Sequence, residues 1–203
     1  MQYQVKDFSA LLGMHGFSDV LLKQHFKLYE GYVTNVNKLL AMDGAERRAG
    51  KGFQFADWHG HFGFEFNGMR LHELYFANLT KAPVHSVPAA LLHKFTESFG
   101  SYAEWAKEFK AAGSQRGVGW AVLYYDAQNG TLLNQWTIEH HINHYTGCVP
   151  LLVMDAWEHA YMPDYALDRT AYIEAFFKHI DWEPVEARLA LAMARSRPLV
   201  PSR

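Results

Sequence analysis

The hydrophobic pattern of this chain changes from helical spacing in the first half to strand spacing later on, and that change restricts the fold more than any other feature of the sequence. Apolar residues recur at helical spacing over residues 21–40 and again over 66–79. Two β-forming segments, 119–126 and 131–138, come later in the chain, with an Asn-Gly pair between them as a strong tight-turn signal. This order predicts an α+β fold that begins with an N-terminal helical hairpin.

The remaining segments predict a small mixed domain. An apolar run at 150–154 is typical of a buried third strand, and helical patterns cover 99–109, 170–180 and 184–196. We therefore expect a three-stranded antiparallel sheet with surrounding helices. Residues 44–60 are polar and glycine-rich, and we expect them to form a loop.

Residues 80–88 contain two prolines and are predicted to link two domains. The predicted boundary gives an N-terminal helical hairpin domain at 1–82 and a C-terminal α/β domain at 83–203. A chain of 203 residues is long enough for one or two domains. At the start of the first helix, Ser18 or Asp19 is expected to be the capping residue.

Composition argues against several classes of protein. The chain is 49% apolar and 20% charged, as in ordinary globular proteins, and no apolar run has the length of about 18 residues that a membrane span needs. Its net charge of −2 gives no electrostatic reason to expect nucleic acid or a membrane surface as partner. The single cysteine, Cys148, excludes an intrachain disulfide and suits a reducing compartment. With no secretory signal visible, we expect a cytoplasmic protein.

Histidine is unusually frequent, with 12 residues, and it is the commonest metal ligand in proteins. Two of these histidines lie on the helical apolar stripes. Seven residues separate His25 from Tyr32, so the two share one face of the first helix, and Tyr75 follows His72 on the second. A hairpin could place both imidazoles in one buried space, as in helix-bundle metal sites. Alternatively, each is a hydrogen-bonded core histidine.

The strongest local signal is the segment DAWEHAYMPDY, residues 155–165. Asp155 stands where the third strand would end, and His159 follows four residues later, so both side chains can reach one ion. The alternative is that Asp155 caps a helix. A histidine tract, EHHINHY at 139–145, holds His140, His141 and His144. The tract resembles a metal-binding sequence, but a polar turn explains it equally well.

Together these motifs resemble the iron/manganese superoxide dismutases over nearly the whole chain. The segment 155–165 is similar to the signature of that family, HFKLYEGYVTNVN (25–37) to its first-helix segment, and FNGMRLHELYF (66–76) to its second. The resemblance implies disproportionation of superoxide to O2 and H2O2 at one iron or manganese ion with a solvent molecule as fifth ligand. The four protein ligands that it implies are His25, His72, Asp155 and His159.

The resemblance also implies roles for neighbouring residues. Tyr32 would stand at the entrance to the metal, and Glu158 would reach across a homodimer interface toward His159 of a second subunit. The aromatic residues that would line the site are Trp120, Trp157 and Tyr75.

The chain departs from the usual family pattern at several positions. Relatives usually separate the first ligand histidine from the tyrosine by eight residues; the seven found here predict a first helix without a π-bulge. Relatives commonly carry a second histidine near the substrate entrance and pair it with a tyrosine across the interface. Those positions hold Tyr29 and Met162 here, which leaves the entrance and the nearby dimer contact open.

The solvent-orienting residue of the family is usually glutamine. Its two possible positions hold Gly68 and His140 in this chain. We therefore expect His140 to be the outer-sphere partner of the bound solvent, and this substitution favours iron over manganese.

Two other functions fit part of the pattern. A non-haem iron oxygenase uses two histidines and one carboxylate, but this chain offers a third ligand histidine and no recognisable cosubstrate pocket. A catalytically weak superoxide-dismutase-like protein, kept for binding or structure, would be marked by a lost ligand, and all four ligand positions are filled.

Overall fold

Two long helices, α1 (Asp19–Ala41) and α2 (Phe53–Phe76), pack against each other in the first part of the chain. The computed structural model describes residues 2–42, 53–82 and 86–195. As predicted, α1 has a side-chain cap, because the Ser18 hydroxyl accepts a hydrogen bond from the backbone N–H of Leu21. Every residue of α1 is α-helical, which confirms the predicted absence of a π-bulge.

The predicted three-stranded antiparallel sheet is also present. Its strands are β1 (Gly119–Asp126), β2 (Thr131–Ile138) and β3 (Cys148–Asp155), in the spatial order β2-β1-β3. The central strand β1 is buried along nearly its whole length. Its register places Trp120 opposite Asp155 on β3. The fold is therefore α+β, as the change of hydrophobic period predicts.

Five further helices lie around the sheet in the described part of the chain. They are α3 (Ala89–Phe99), α4 (Tyr102–Gly113), α5 (Met162–Tyr165), α6 (Arg169–Lys178) and α7 (Trp182–Ala194). Helices α4, α6 and α7 confirm the three predicted helical segments. Helix α3 was not predicted, and its buried Phe95 stacks on Trp105 of α4 with ring centroids 4.2 Å apart. The sheet packs against α2, α3, α4 and α7, where the core lies.

The prediction of a loop over 44–60 is wrong for residues 53–60, which form the first turns of α2. Glycine lowers helix propensity, so this stretch has a weak helical signal. Tertiary contacts outweigh that weakness. The Trp58 ring stacks on Phe62 one turn later, with centroids 5.0 Å apart, and its indole N–H donates to the carbonyl of Leu39 on α1 at 3.3 Å.

Parts of the predicted loop and linker, residues 44–52 and 83–85, lie outside the described residues. The division into domains at 1–82 and 83–203 therefore stays a prediction. Within the portion of the chain that the structure describes, no helix has the combination of length and apolar character that crossing a bilayer requires.

Candidate metal centre

Four side chains from four separate elements converge at one buried point. His25 comes from α1, His72 from α2, Asp155 from the end of β3 and His159 from a short 3₁₀ turn. Each offers one ligand atom, and these atoms all lie within 4.8 Å of one another. Atoms bound about 2.0–2.2 Å from a shared ion can be at most about 4.4 Å apart. The cluster therefore has nearly the spacing of a metal site.

The Asp155 carboxylate lies at the centre of this cluster. Its Oδ2 atom is 3.1 Å from Nε2 of His25, 3.1 Å from Nε2 of His159 and 3.6 Å from Nε2 of His72. Its other oxygen, Oδ1, accepts the backbone N–H of Trp157 at 2.8 Å, which fixes the carboxylate plane. The side chains of the first two histidines and of the aspartate are fully buried, whereas that of His159 is 27% exposed. The site therefore reaches the surface through His159.

His72 shows that the cluster fits a cation. Its Nδ1–H donates to the carbonyl oxygen of Gly68 at 2.6 Å, since a carbonyl can only accept. The neutral ring then carries a lone pair at Nε2, which is buried, points into the cluster and has no hydrogen-bond partner. A buried acceptor without a partner is costly, and a bound ion removes that cost. Metal-ligating histidines typically donate their other N–H to such a carbonyl.

The protonation states also suit a metal. Burial, the largest influence, lowers the pKa of both His25 and His72 below its ordinary value. For Asp155, burial alone would raise the pKa, but the His159 and His25 imidazoles outweigh it and hold the pKa of that carboxyl below its usual range. Metal ligands must be neutral imidazoles and ionised carboxylates. Three nitrogens and one carboxylate oxygen are a donor set that iron and manganese accept.

His140 lies next to this cluster, between two aromatic side chains. The indole N–H of Trp120 donates to His140 Nδ1 at 3.1 Å. Because an indole can only donate, the neutral ring carries its proton on Nε2, which donates to the Tyr32 hydroxyl oxygen at 2.7 Å. Burial lowers the pKa of His140 to about 4, so the ring is neutral near pH 7. The Tyr32 O–H is thereby left to donate to another group.

Aromatic rings enclose the cluster, including each of the predicted wall residues. Tyr32 stacks on His72 with centroids 5.1 Å apart, and Trp120 meets the same imidazole edge-on at 5.0 Å. Trp157 stacks on His140 at 4.7 Å. Tyr75 lies 5.3 Å from His25. These rings shield the fully buried His25 and His72 imidazoles from bulk water.

Phe64 is a neighbour of the site that the sequence analysis does not assign. Its ring centroid lies 4.5 Å from that of His140. Its position on α2 gave little signal, because eight residues before His72 is about 80° away from the face of that histidine on an α-helix. Of the histidine tract, His141 is exposed and faces Glu139 at 3.9 Å, whereas His144 binds the His140 backbone.

Tyr29 and Met162, the two departures from the resembled family near the predicted substrate entrance, have different surroundings. Tyr29 is buried, its hydroxyl donates to Glu73 Oε1 at 3.1 Å, and it accepts the backbone N–H of Lys6 at 3.1 Å. Burial is the main cause that raises the pKa of Tyr29 to about 12. Met162 is exposed at the start of α5. Tyr29 therefore joins the N-terminal segment to α1 and α2.

Gly68 makes room for Tyr32. A Cβ atom at position 68 would lie 2.7 Å from Cδ1 and 2.8 Å from Cε1 of the Tyr32 ring, closer than real Cβ atoms come. The ring therefore rests directly on the backbone of α2. A glutamine at this position, which is one of the two places that the resemblance implies for it, would require the tyrosine to move.

We expect Gly68→Ala to destabilise the protein by about 1–3 kcal/mol, because the new methyl group overpacks against Tyr32. Gly63→Ala is the matched control on the same helix, since no described residue lies within 4 Å of its Cβ position. Removal of a helical glycine there should stabilise by about 0.5–1 kcal/mol. Thermal unfolding of the two variants measures the difference. Equal melting temperatures would show that Tyr32 does not press on α2.

The α+β fold and the convergent donors define the class: a metalloprotein with a candidate mononuclear centre of three histidines and one aspartate. The sequence model of the iron/manganese superoxide dismutase C-terminal domain matches residues 87–188. Superoxide dismutase [Fe] of Aquifex pyrophilus is 35% identical over 195 residues, which cover 93% of this chain and 91% of that protein. Superoxide dismutase [Fe] of Aquifex aeolicus is 34% identical over 197 residues, which cover 94% of this chain and 92% of that protein.

Superoxide dismutase [Mn] 1 of Halobacterium salinarum is 33% identical over 189 residues, which cover 93% of this chain and 94% of that protein. The chain therefore belongs to the iron/manganese superoxide dismutase family, and the resemblance seen in its motifs is confirmed.

Proposed function

We propose that this protein is a superoxide dismutase, which converts two superoxide ions and two protons to O2 and H2O2. The single iron or manganese ion is held by His25, His72, Asp155 and His159. The observation that carries this function is the convergence of four ligand atoms within 4.8 Å of one another, with a buried imidazole nitrogen that lacks any other partner. A bound iron or manganese ion supplies the one-electron redox chemistry.

The residues of the chain supply the surroundings that the reaction needs. Tyr32 accepts a hydrogen bond from His140, so its own O–H can donate to an oxygen atom in the site. Burial is the largest cause that raises the pKa of Tyr32 above its ordinary value, which keeps the phenol protonated. Trp120 fixes the His140 ring from one side, and Trp157 stacks on its face. We assign these four residues to the delivery of protons and the shaping of the site.

We propose iron as the first choice of metal and manganese as the second. His140 is an imidazole donor in the place of the usual glutamine amide, and hydrogen bonds near a metal tune its potential. The relatives include proteins named for either metal. The cytoplasm is the proposed location, because a chain with one cysteine suits a reducing compartment.

The protein is further proposed to form a homodimer in which Glu158 of each subunit approaches His159 of the other. Glu158 is exposed in the single chain, and the adjacent His159 is the ligand whose side chain reaches the surface. A carboxylate near the outer face of this imidazole would help to orient the ligand.

We expect Glu158→Ala to weaken the dimer, because each subunit loses its carboxylate contact. Sedimentation equilibrium should shift from twice 23.3 kDa toward 23.3 kDa at low micromolar concentration. Glu174→Ala, which removes an exposed carboxylate that pairs with Lys110 at 2.6 Å, is the control and should stay dimeric. A Glu158→Ala protein that remains as dimeric as this control contradicts the proposed contact.

Elemental analysis together with a superoxide-consumption assay tests the function. The purified protein should contain about one ion per subunit, and reconstitution with iron or manganese should give rapid superoxide removal. The more active metal identifies the physiological cofactor. A fully loaded protein that does not consume superoxide would instead be a catalytically weak binding or structural member of the family.

A further inference from the structure

His144 lies outside the metal cluster, but it holds the backbone of His140. Its Nε2 atom is 2.9 Å from the His140 carbonyl oxygen, and its Nδ1 atom is 2.6 Å from the Tyr124 hydroxyl. The residue is half-buried, and Tyr124 is almost fully buried on the central strand. Both ring nitrogens of His144 are therefore engaged.

The partners of His144 determine its protonation. A carbonyl oxygen can only accept, so Nε2 of His144 carries a proton and donates it. In the neutral ring, Nδ1 then accepts from the Tyr124 O–H. Tyr124 can supply that proton, since burial chiefly raises its pKa to about 12. One defined tautomer thus links β1 to the turn that carries His140.

That turn has an unusual backbone. Glu139 and Asn143 have φ angles of 53° and 70°, in the left-handed region that non-glycine residues rarely adopt. Two backbone hydrogen bonds between Ile138 and Ile142, of 3.1 and 3.2 Å, close the turn at its base. They leave the carbonyl of His140, inside the turn, to the His144 side chain. Such a turn needs contacts that hold it in place.

We propose that His144 is a positioning residue: its hydrogen bond to the His140 carbonyl holds the turn so that the His140 ring presents Nε2–H to Tyr32. The carbonyl bond fixes His140 at its backbone, and the Trp120 indole fixes it at the ring. The effect on turnover rests on the proposed function, because it requires the Tyr32–His140 pair to deliver protons. The expected effect on the position of the proton in the His140 ring does not rest on that function.

The test compares His144→Ala, His144→Gln and His141→Ala. Proton–nitrogen correlation spectra of the metal-free protein with ¹⁵N-labelled histidine report which nitrogen of His140 carries the proton. In the native protein it is Nε2. His144→Ala should shift both His140 nitrogen signals toward a mixture of tautomers. His144→Gln keeps an N–H donor for the carbonyl and should restore the native signals, and the exposed His141 serves as the control without effect.

The same variants are then loaded with iron and assayed. His144→Ala should keep its metal, because His144 contacts none of the four ligands, and should lose about tenfold in turnover. The glutamine variant should recover most of that loss. Native His140 signals in a folded His144→Ala protein overturn the proposal. If the alanine variant folds poorly, His144→Gln decides: native His140 signals support the donor role of residue 144, and a mixture of tautomers overturns it. If the iron-loaded native protein has no turnover, the proposed function is refuted. The spectra of the metal-free variants then still test the positioning role of His144.

Discussion

Replacement of Asp155 by asparagine is expected to abolish tight iron or manganese binding and to lower superoxide turnover by at least about a hundredfold. The carboxylate is the one anionic donor that the described residues bring to the cluster, and its Oδ2 atom lies within 3.6 Å of all three histidine nitrogens. Asparagine keeps the shape but replaces the charge with a weak neutral ligand. Metal per subunit, measured by mass spectrometry of the digested protein, and turnover should fall together.

Asp126→Asn is the matched control for this change of charge. Asp126 also ends a strand of the sheet, but its carboxylate accepts from the backbone of Gln128 and the side chain of Asn129 in an exposed turn. The control should keep full metal content and activity. An Asp155→Asn protein that binds as much metal as the control would show that the carboxylate is not a ligand.

The second large effect is expected for His140→Ala, which should retain its metal but lose about a hundredfold in turnover. The substitution removes the donor to Tyr32 and leaves the buried indole N–H of Trp120 without its acceptor. It touches none of the four proposed ligand atoms. Turnover measured on protein of verified metal content separates the loss of proton delivery from the loss of the ion.

His140→Gln is the informative companion variant, because an amide can still donate a hydrogen bond toward Tyr32. It should keep a larger share of turnover than His140→Ala. His141→Ala, in the same histidine tract but exposed, should behave like the native protein. Native turnover in His140→Ala would show that His140 has no part in the reaction.

The local periodicity of the sequence predicts a large part of this arrangement. Seven residues place His25 and Tyr32 on one face of α1, and the structure brings both to the cluster. The apolar run before Asp155 places that residue at a strand end, and the 3₁₀ turn after it brings His159 back to the same point. These features follow from the spacing of a few neighbouring residues, which sequence patterns record directly.

Features that depend on partners far away in the chain cannot be predicted from the spacing of neighbouring residues. The burial of Tyr29 depends on Glu73, 44 residues later, which also pairs with Lys6 and Arg70 at 3.0 and 2.7 Å. Helix α3, by contrast, has a local signal that the prediction missed: directly after the prolines of the linker, Leu91, Phe95 and Phe99 recur at helical spacing. The propensity of glutamate does not predict a left-handed Glu139.

The crystal structure of the iron-loaded protein, with anomalous scattering recorded on both sides of the iron absorption edge, is the most direct measurement of the central claim. It should show one iron peak per subunit at the cluster, bonded to Nε2 of three histidines and to a carboxylate oxygen. The four residues are His25, His72, Asp155 and His159. An iron peak elsewhere, or any one of these donors turned away without a replacement, would contradict the account.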